Sequence, residues 1–284
     1  KVERPLDNVT DETPLEVSEV LGKDARIKIK NAAVSGSLRI KGARFDEILL
    51  DKYKQTLETD SADVELFAPA KTAAPYYAEF GWLSSDSSLR MPDHNTVWTV
   101  RGGELMPETP VVLEWNNGQG LKFIRKISLD ADYMFNIQQD VENDTGRTVT
   151  LYPYGLINRK TENANPSASV VHEGLISVVD NNLKEIKYKD LIDEKAKEFK
   201  TAQGWAGFSA TGLPLLFWKG KIKIRSSSRP PANKTSKPIM SEPPSPRLPA
   251  PLPPTASNYL PAPRKSNCWI NIPSRSTFPS LTLP

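Results

Sequence analysis

The sequence predicts an all-β protein built as a large antiparallel sandwich. Between Lys23 and about residue 209, apolar residues recur with period two rather than at helical spacing. Turn-forming residues interrupt them about every eight to twelve positions, the rhythm of a sandwich. Helical patterns are sparse.

Taken in order, residues 1–22 (KVERPLDNVTDETPLEVSEVLG) carry six acids, two prolines and no sustained periodicity, and are expected to be an acidic linker, with order beginning near Lys23. The stretch ARIKIKNAAVSGSLRIKGARFDEILLDKY then alternates Ile27 and Ile29, then Val34, Leu38 and Ile40, with polar neighbours, and Gly36 and Gly42 divide it into a short meander. Further strands are expected at Val64–Phe67, Tyr76–Leu83, Thr96–Arg101, Val111–Glu114, Leu121–Leu129, Tyr133–Asn143 and Thr148–Asn158. Asn-Gly, Asp-Ala-Asp and Asn-Asp-Thr-Gly segments supply the turns between them. Asp190–Phe199 (DLIDEKAKEF) reads equally as a short amphipathic helix and as a solvated loop, because Lys and Glu alternate so heavily there.

Average composition hides a break. Residues 1–210 hold 26 Lys/Arg against 33 Asp/Glu, whereas 211–284 hold 11 Lys/Arg against the single acid Glu242. The same tail carries 16 of the 25 prolines. The overall charge of +3 therefore describes neither part. A basic excess confined to a Pro-rich stretch is expected to be a disordered tail rather than a nucleic-acid site, so no nucleic-acid partner is expected. The chain has one cysteine, Cys268, which can form no internal disulfide and no zinc or redox pair. No apolar run of about twenty residues is present to span a bilayer.

Candidate chemistry is thin. His94 and His172, the two histidines, show no ligand or triad spacing; His94 is expected in a loop and His172 as a hydrogen-bonding residue at a strand start. Asp130 and Asp132 form a carboxylate pair, expected to shape a turn rather than to catalyse glycosyl transfer. Asn116–Gly120 (NNGQG) lacks the Lys-Ser/Thr and helix of a phosphate cradle and reads as a hairpin turn. Aromatic residues recurring from Tyr76 to Tyr154 are expected in the core or on sheet faces before any binding platform. No catalytic, cofactor-binding or metal-ligating residue is assigned, and the chain is not expected to be an enzyme.

Several blocks in one order, among them SGSLRIKGARFDEILLDKY, YYAEFGWL, LMPETPVVLEWNNGQGLKFIRKISLDADYMF, VENDTGRTVTLYPYGLINR and GWAGFS, resemble the first periplasmic domain of bacterial YidC membrane protein insertases, in its α-proteobacterial form. The resemblance covers about residues 25–209. It implies a β-supersandwich related to galactose mutarotase, on the periplasmic face of the inner membrane. It also implies a non-catalytic module of an insertase and chaperone that integrates and folds inner-membrane proteins with or without the Sec translocon. Implied partners are translocon components such as SecF, and nascent membrane proteins through a membrane core that this chain lacks. The fold also admits an alternative, a carbohydrate-active or carbohydrate-binding sandwich. An epimerase would need a convergent His and Glu, and the adjacent His172 and Glu173 would point to opposite faces of a strand.

The resemblance suggests a cause for the break in composition. Reading each codon of the tail from its third base, with synonymous bases chosen freely, Ala210–Lys223 can give YWATALILEGQDK. In the same shift Ser236–Ser245 can give EADYVGAAV, and Ala262–Pro284 can give AKKVKLLDKYSEQVNIPKFDLA. The last two resemble the family's ADYVG strand and its LFAGAKKVKLLDKY block. Residues 210–284 are therefore expected to be a frameshifted, largely disordered tail that leaves the sandwich incomplete; the alternative is a natural basic Pro-rich interaction segment. Fragments such as Leu215–Ile224 are expected to be able to dock as strands.

Overall fold

The structure, a computed structural model, describes residues 13–58, 60–161, 174–179, 181–187, 196–209, 215–226, 234–241 and 266–271. One short helix, α1 (Val17–Leu21), is followed by β1 (Arg26–Lys30), β2 (Val34–Arg39), β3 (Arg44–Lys54), β4 (Asp63–Phe67) and β5 (Tyr76–Ser84). Then come β6 (Thr99–Arg101), β7 (Val111–Asn116), β8 (Leu121–Leu129), β9 (Met134–Asn143) and β10 (Leu151–Thr161). The last elements are β11 (Gly174–Val179), β12 (Asn182–Lys187), β13 (Ala196–Ser209), β14 (Leu215–Ser226), β15 (Lys234–Ser241) and β16 (Ser266–Asn271).

The paired strands are all antiparallel, in the order β1-β2-β3-β5-β10-β15-β14-β16-β9-β8-β7-β6, with β4 beside β3 and with β11, β12 and β13 branching from β14. Alternation sorts side chains to two faces. Ile27, Ile29, Leu38, Phe45, Ile48, Ala78 and Phe80 point inward from one side, and Leu113, Leu121, Phe123, Ile127, Phe135 and Ile137 from the other. The two sides meet where the Phe45 ring stands edge-on to Phe135 at 5.4 Å and Trp82 leans on Phe123 at 5.0 Å. Such aromatic pairs add to simple area burial, each by about 0.5–1.5 kcal/mol.

Two segments join the far edges. Lys30 N–H donates to Leu105 O at 3.1 Å and Leu105 N–H to Lys28 O at 2.8 Å, so the loop between β6 and β7 runs along β1. Gly42 N–H donates to Thr96 O at 2.7 Å at the β2–β3 turn, where φ of +77° and the nearby His94 carbonyl leave no place for a side chain. Edge β1 is thus covered rather than left as a template for other strands.

The β2–β3 register carries a bulge between Ser37 and Leu38. Just before it, Gly36 has φ of +141°, and a Cβ there would collide with the backbone carbonyl of Glu47. Gly36→Val is expected to destabilise the domain by about 2–4 kcal/mol, measurable as a lower urea midpoint at unchanged slope.

Three expectations meet a different outcome. Order begins before Lys23, because Leu15 N–H donates to Lys71 O at 3.0 Å, and Lys23 pairs with Glu19 on α1 at 2.9 Å. Residues 1–12 lie outside the described residues. Within Asp190–Phe199, Ala196–Phe199 forms neither helix nor loop but opens β13, paired in register with Arg225–Ile222 of β14. Strand pairing there overrides the Lys/Glu pattern, since local propensity is weak against a ladder of backbone bonds. Finally, β6 is shorter than expected: Asp93 organises residues 93–96 as a turn, accepting from Asn95 N–H at 2.9 Å and Thr96 Oγ1 at 3.1 Å.

In the tail, Leu215–Ser226, Lys234–Ser241 and Ser266–Asn271 have strand backbones, pairing β13 to β14, β14 to β15 and β16, β15 to β10, and β16 to β9. They span the interval between β10 and β9.

Candidate functional site

Among the described residues, two clusters of buried charge stand out, one on each side of β5. On β3, Arg44 and Asp46 alternate with inward-facing Phe45, and on β5, Tyr77 and Glu79 alternate with Ala78 and Phe80. Their shared face would meet water in a simple two-layer sandwich. Here Arg44, Asp46, Tyr77, Glu79, Tyr154, Leu156 and Asn158 are all buried.

The Glu79 carboxylate is heavily engaged. Oε2 accepts from Arg44 Nη2 at 2.7 Å and Nε at 3.2 Å, and Oε1 accepts from the Tyr154 hydroxyl at 3.2 Å. The Arg44 guanidinium also lies 4.1 Å from the centre of the Tyr77 ring. Tyr154 reaches Glu79 because Gly81 leaves space: a Cβ at Gly81 would stand 2.8 Å from the Tyr154 ring and hydroxyl. Gly81→Ala is therefore expected to displace Tyr154 and break its bond to Glu79, at a cost of about 1–3 kcal/mol. The measurement is thermal unfolding beside Tyr154→Phe, and the two losses should not add, because both remove one interaction.

Next along β3, Asp46 accepts from Arg26 Nη2, and Arg26 Nε donates to Ser37 Oγ at 2.5 Å. Burial raises the Asp46 carboxyl above its ordinary range, while Arg26, Arg44 and Arg39 pull it down less strongly. Glu65 on β4 is likewise raised, first by burial and then by the neighbouring Glu47.

The second cluster lies in the core. Arg125 on β8 points inward among Leu121, Phe123, Ile127 and Leu129 and is 1% exposed. Its Nη1 donates to Ala43 O at 3.1 Å and its Nη2 to Phe80 O at 2.5 Å, so one side chain ties β8 to the opposite layer. Its guanidinium stands 5.0 Å from the Trp98 ring and 5.7 Å from the Trp82 ring. Burial lowers its pKa to about 10, with Tyr154 and Glu79 opposing the shift, so it remains a cation at neutral pH.

The residues singled out in the sequence lie elsewhere. Asp130 Oδ1 accepts from Asp132 N–H at 2.8 Å and Met134 N–H at 2.9 Å, which is turn chemistry. Asn31 Nδ2 donates to the backbone carbonyls of Asp130 and Asp132, pinning that turn to the β1–β2 turn. His94 lies in the 93–96 turn with its Nε2 2.9 Å from Asn95 Nδ2. Asn116 and Asn117 build the β7–β8 hairpin turn, their Oδ1 atoms accepting from Gly118 and Gln119 N–H. His172 and Glu173 lie outside the described residues, as does the side chain of Cys268. Among the described residues, no group of three or more His, Cys, Asp or Glu could hold a metal, and no helix is long and apolar enough to cross a membrane.

Sequence reading named neither Arg125 nor the Arg44–Glu79 pair. The signal for Arg125 was its phase, a cation at the inward position of an apolar alternation. For Glu79 it was an acid inside the nearly continuous apolar run YYAEFGWL, which marks a strand buried on both faces.

A family model described as the YidC periplasmic domain matches residues 26–210, well over half of the chain. The chain belongs to the YidC periplasmic domain family. Among curated relatives, a membrane protein insertase YidC from Nitrobacter hamburgensis is 44% identical over 187 residues, covering 65% of this chain and 31% of that protein. Another, from Rickettsia bellii, is 40% identical over 198 residues, covering 69% and 35%. The chain thus spans about a third of the length of these YidC relatives.

Two solved structures share the fold. A galactose mutarotase related enzyme from Lactobacillus acidophilus aligns with a TM-score of 0.55 at 9% identity, covering 88% of this chain and 98% of its own. A galactose mutarotase-like protein from Lactobacillus casei aligns with a TM-score of 0.53 at 11% identity, covering 87% and 99%. At such identity the likeness is one of architecture, the mutarotase-like β-sandwich expected for a YidC periplasmic domain.

Proposed function

We propose that residues 26–210 are the periplasmic module of a membrane protein insertase, standing at the inner membrane and assisting the integration and folding of membrane proteins by protein contact rather than by catalysis. The match to the YidC periplasmic domain over those residues carries this reading. The chemistry of the buried face supports the non-enzymatic part, since the Glu79 carboxylate already accepts from Arg44 and Tyr154 and is poorly placed to abstract a proton. Its partners are nascent membrane proteins, met by the full-length insertase, and a Sec translocon component such as SecF. Site-specific photo-crosslinking from the domain within the full-length insertase tests this. Crosslinks to SecF are expected, and crosslinks only to unrelated periplasmic proteins would count against it.

The fold likeness favours one second reading, a carbohydrate-binding sandwich. Calorimetric titration with galactose and related saccharides is expected to give no saturable heat; saturable binding would favour that reading instead.

The tail belongs to the same proposal. Residues 210–284 are read as codons of the same domain taken out of frame, which accounts for the loss of acids, the excess of proline and the end of the family match at residue 210. The nucleotide sequence around Ser209 decides it. A single inserted or deleted base that restores the shifted reading is expected, and an intact cellular protein with the mass of this tail would refute it.

A further inference from the structure

The β7–β8 turn carries the one Asn-Gly step in the sequence, Asn117–Gly118. Such a step is chemically labile, because the glycine nitrogen, with no Cβ beside it, is free to attack the asparagine Cγ. The fold occupies every group that this reaction needs. Asn117 Oδ1 accepts from Gln119 N–H at 2.8 Å and Leu121 N–H at 3.0 Å, and Nδ2 donates to Arg90 O at 3.2 Å. The attacking nitrogen is engaged too, since Gly118 N–H donates to Asn116 Oδ1 at 2.7 Å. Asn117 is 3% exposed, which keeps out the water that the reaction consumes. Gln119 braces the same turn, accepting from Arg90 N–H at 2.7 Å and donating to Ser88 O at 3.0 Å.

We propose that Asn117 is a deamidation site which the native fold keeps locked and unfolding opens, so that time spent unfolded is recorded covalently at this residue. In the open chain Gly118 gives its N–H proton to solvent base and its nitrogen bonds to Asn117 Cγ. The carboxamide nitrogen leaves as ammonia, taking a proton back from solvent. Water then adds to one carbonyl or the other of the cyclic imide, giving aspartate or isoaspartate, with no oxidant or reductant involved. Neither product restores the lock. Aspartate lacks the Nδ2 donor and sets a carboxylate oxygen against the Arg90 carbonyl in a place almost closed to water. Isoaspartate lengthens the backbone where Asn117 N–H donates to Leu121 O at 3.0 Å and Asn116 pairs with Lys122, so it disturbs the β7–β8 register. A marked chain therefore refolds to a weaker domain, and the mark selects against chains that lingered unfolded.

The test incubates the purified full chain at neutral pH in a series of urea concentrations. Residues 102–122 are then followed as a tryptic peptide, whose mass shows the exchange of –NH2 for –OH and whose fragments place it at Asn117 rather than Asn116. The rate should track the unfolded fraction through the urea transition, and without urea it should be about a hundredfold or more below that of the unfolded chain. Gly118→Ala should largely suppress the unfolded-state reaction, because a Cβ crowds the attacking nitrogen, and this readout needs no folded variant. Asn117→Asp, made directly, should show a lower urea midpoint than the parent, and the deficit should narrow as pH falls and the new carboxyl takes up a proton. A native rate close to the unfolded one, a rate already rising in urea well below the transition, an undiminished reaction in Gly118→Ala, or an Asn117→Asp chain as stable as the parent would overturn the proposal.

Discussion

Replacing Arg125 by alanine is expected to lower the free energy of unfolding by about 3–5 kcal/mol, measured by urea denaturation of the purified chain. Two losses combine. A long side chain leaves a fully packed core, and the Ala43 and Phe80 carbonyls lose the donor that links their layer to β8. Arg125→Met separates them, because methionine fills much of the volume and removes a buried cation, so its cost should be only about 1–2 kcal/mol. A methionine variant as damaged as the alanine one would show that the two hydrogen bonds, rather than the packing, hold the layers together.

The second large effect is expected at Glu79. Glu79→Ala takes away the carboxylate that Arg44 faces at 2.7 Å, with both side chains 4% exposed, and should cost about 3–5 kcal/mol. Arg44→Met alone should cost a similar amount. The double substitution Arg44→Met with Glu79→Leu is expected to cost less than the sum of the single changes by about 1–3 kcal/mol, the signature of a coupled pair. Strict additivity, measured by denaturant titration of all four proteins, would show that each side chain is held by other neighbours instead.

How much of this could be read from residues alone depends on the range of the interaction. The β7–β8–β9 meander was legible to within two residues at each strand end, since Val111, Leu113, Leu121, Phe123, Ile127 and Leu129 keep phase with the pleat and Asn116–Gly120 announces its turn. The turn role of Asp130 was legible because its bonds reach only two and four residues ahead. The Arg44–Glu79 pair was not, because it spans 35 residues and exists only once Phe45 lies opposite Ala78. Nor was Ala196–Phe199, whose partners in β14 lie across a break in composition that local patterns do not bridge. Recognition of the family came from many blocks in one order, which register and pairing do not disturb. Buried charge came from three-dimensional neighbours, which spacing within one strand does not contain.

The contacts that cover β1 also set an order of events in folding. Lys28 and Lys30 pair with Leu105, and Lys41 stands opposite Val97, so these closures join residues more than fifty positions apart. Closing loops of that length carries an entropic cost that local hairpins such as β7–β8 do not bear. When the chain is delivered N-terminus first, all of β1 to β4, with their mutual pairings, arrive before Leu105 does. Until then β1 offers its bare edge to whatever extended polypeptide is nearby, and the β6–β7 loop acts as a latch that ends this exposure.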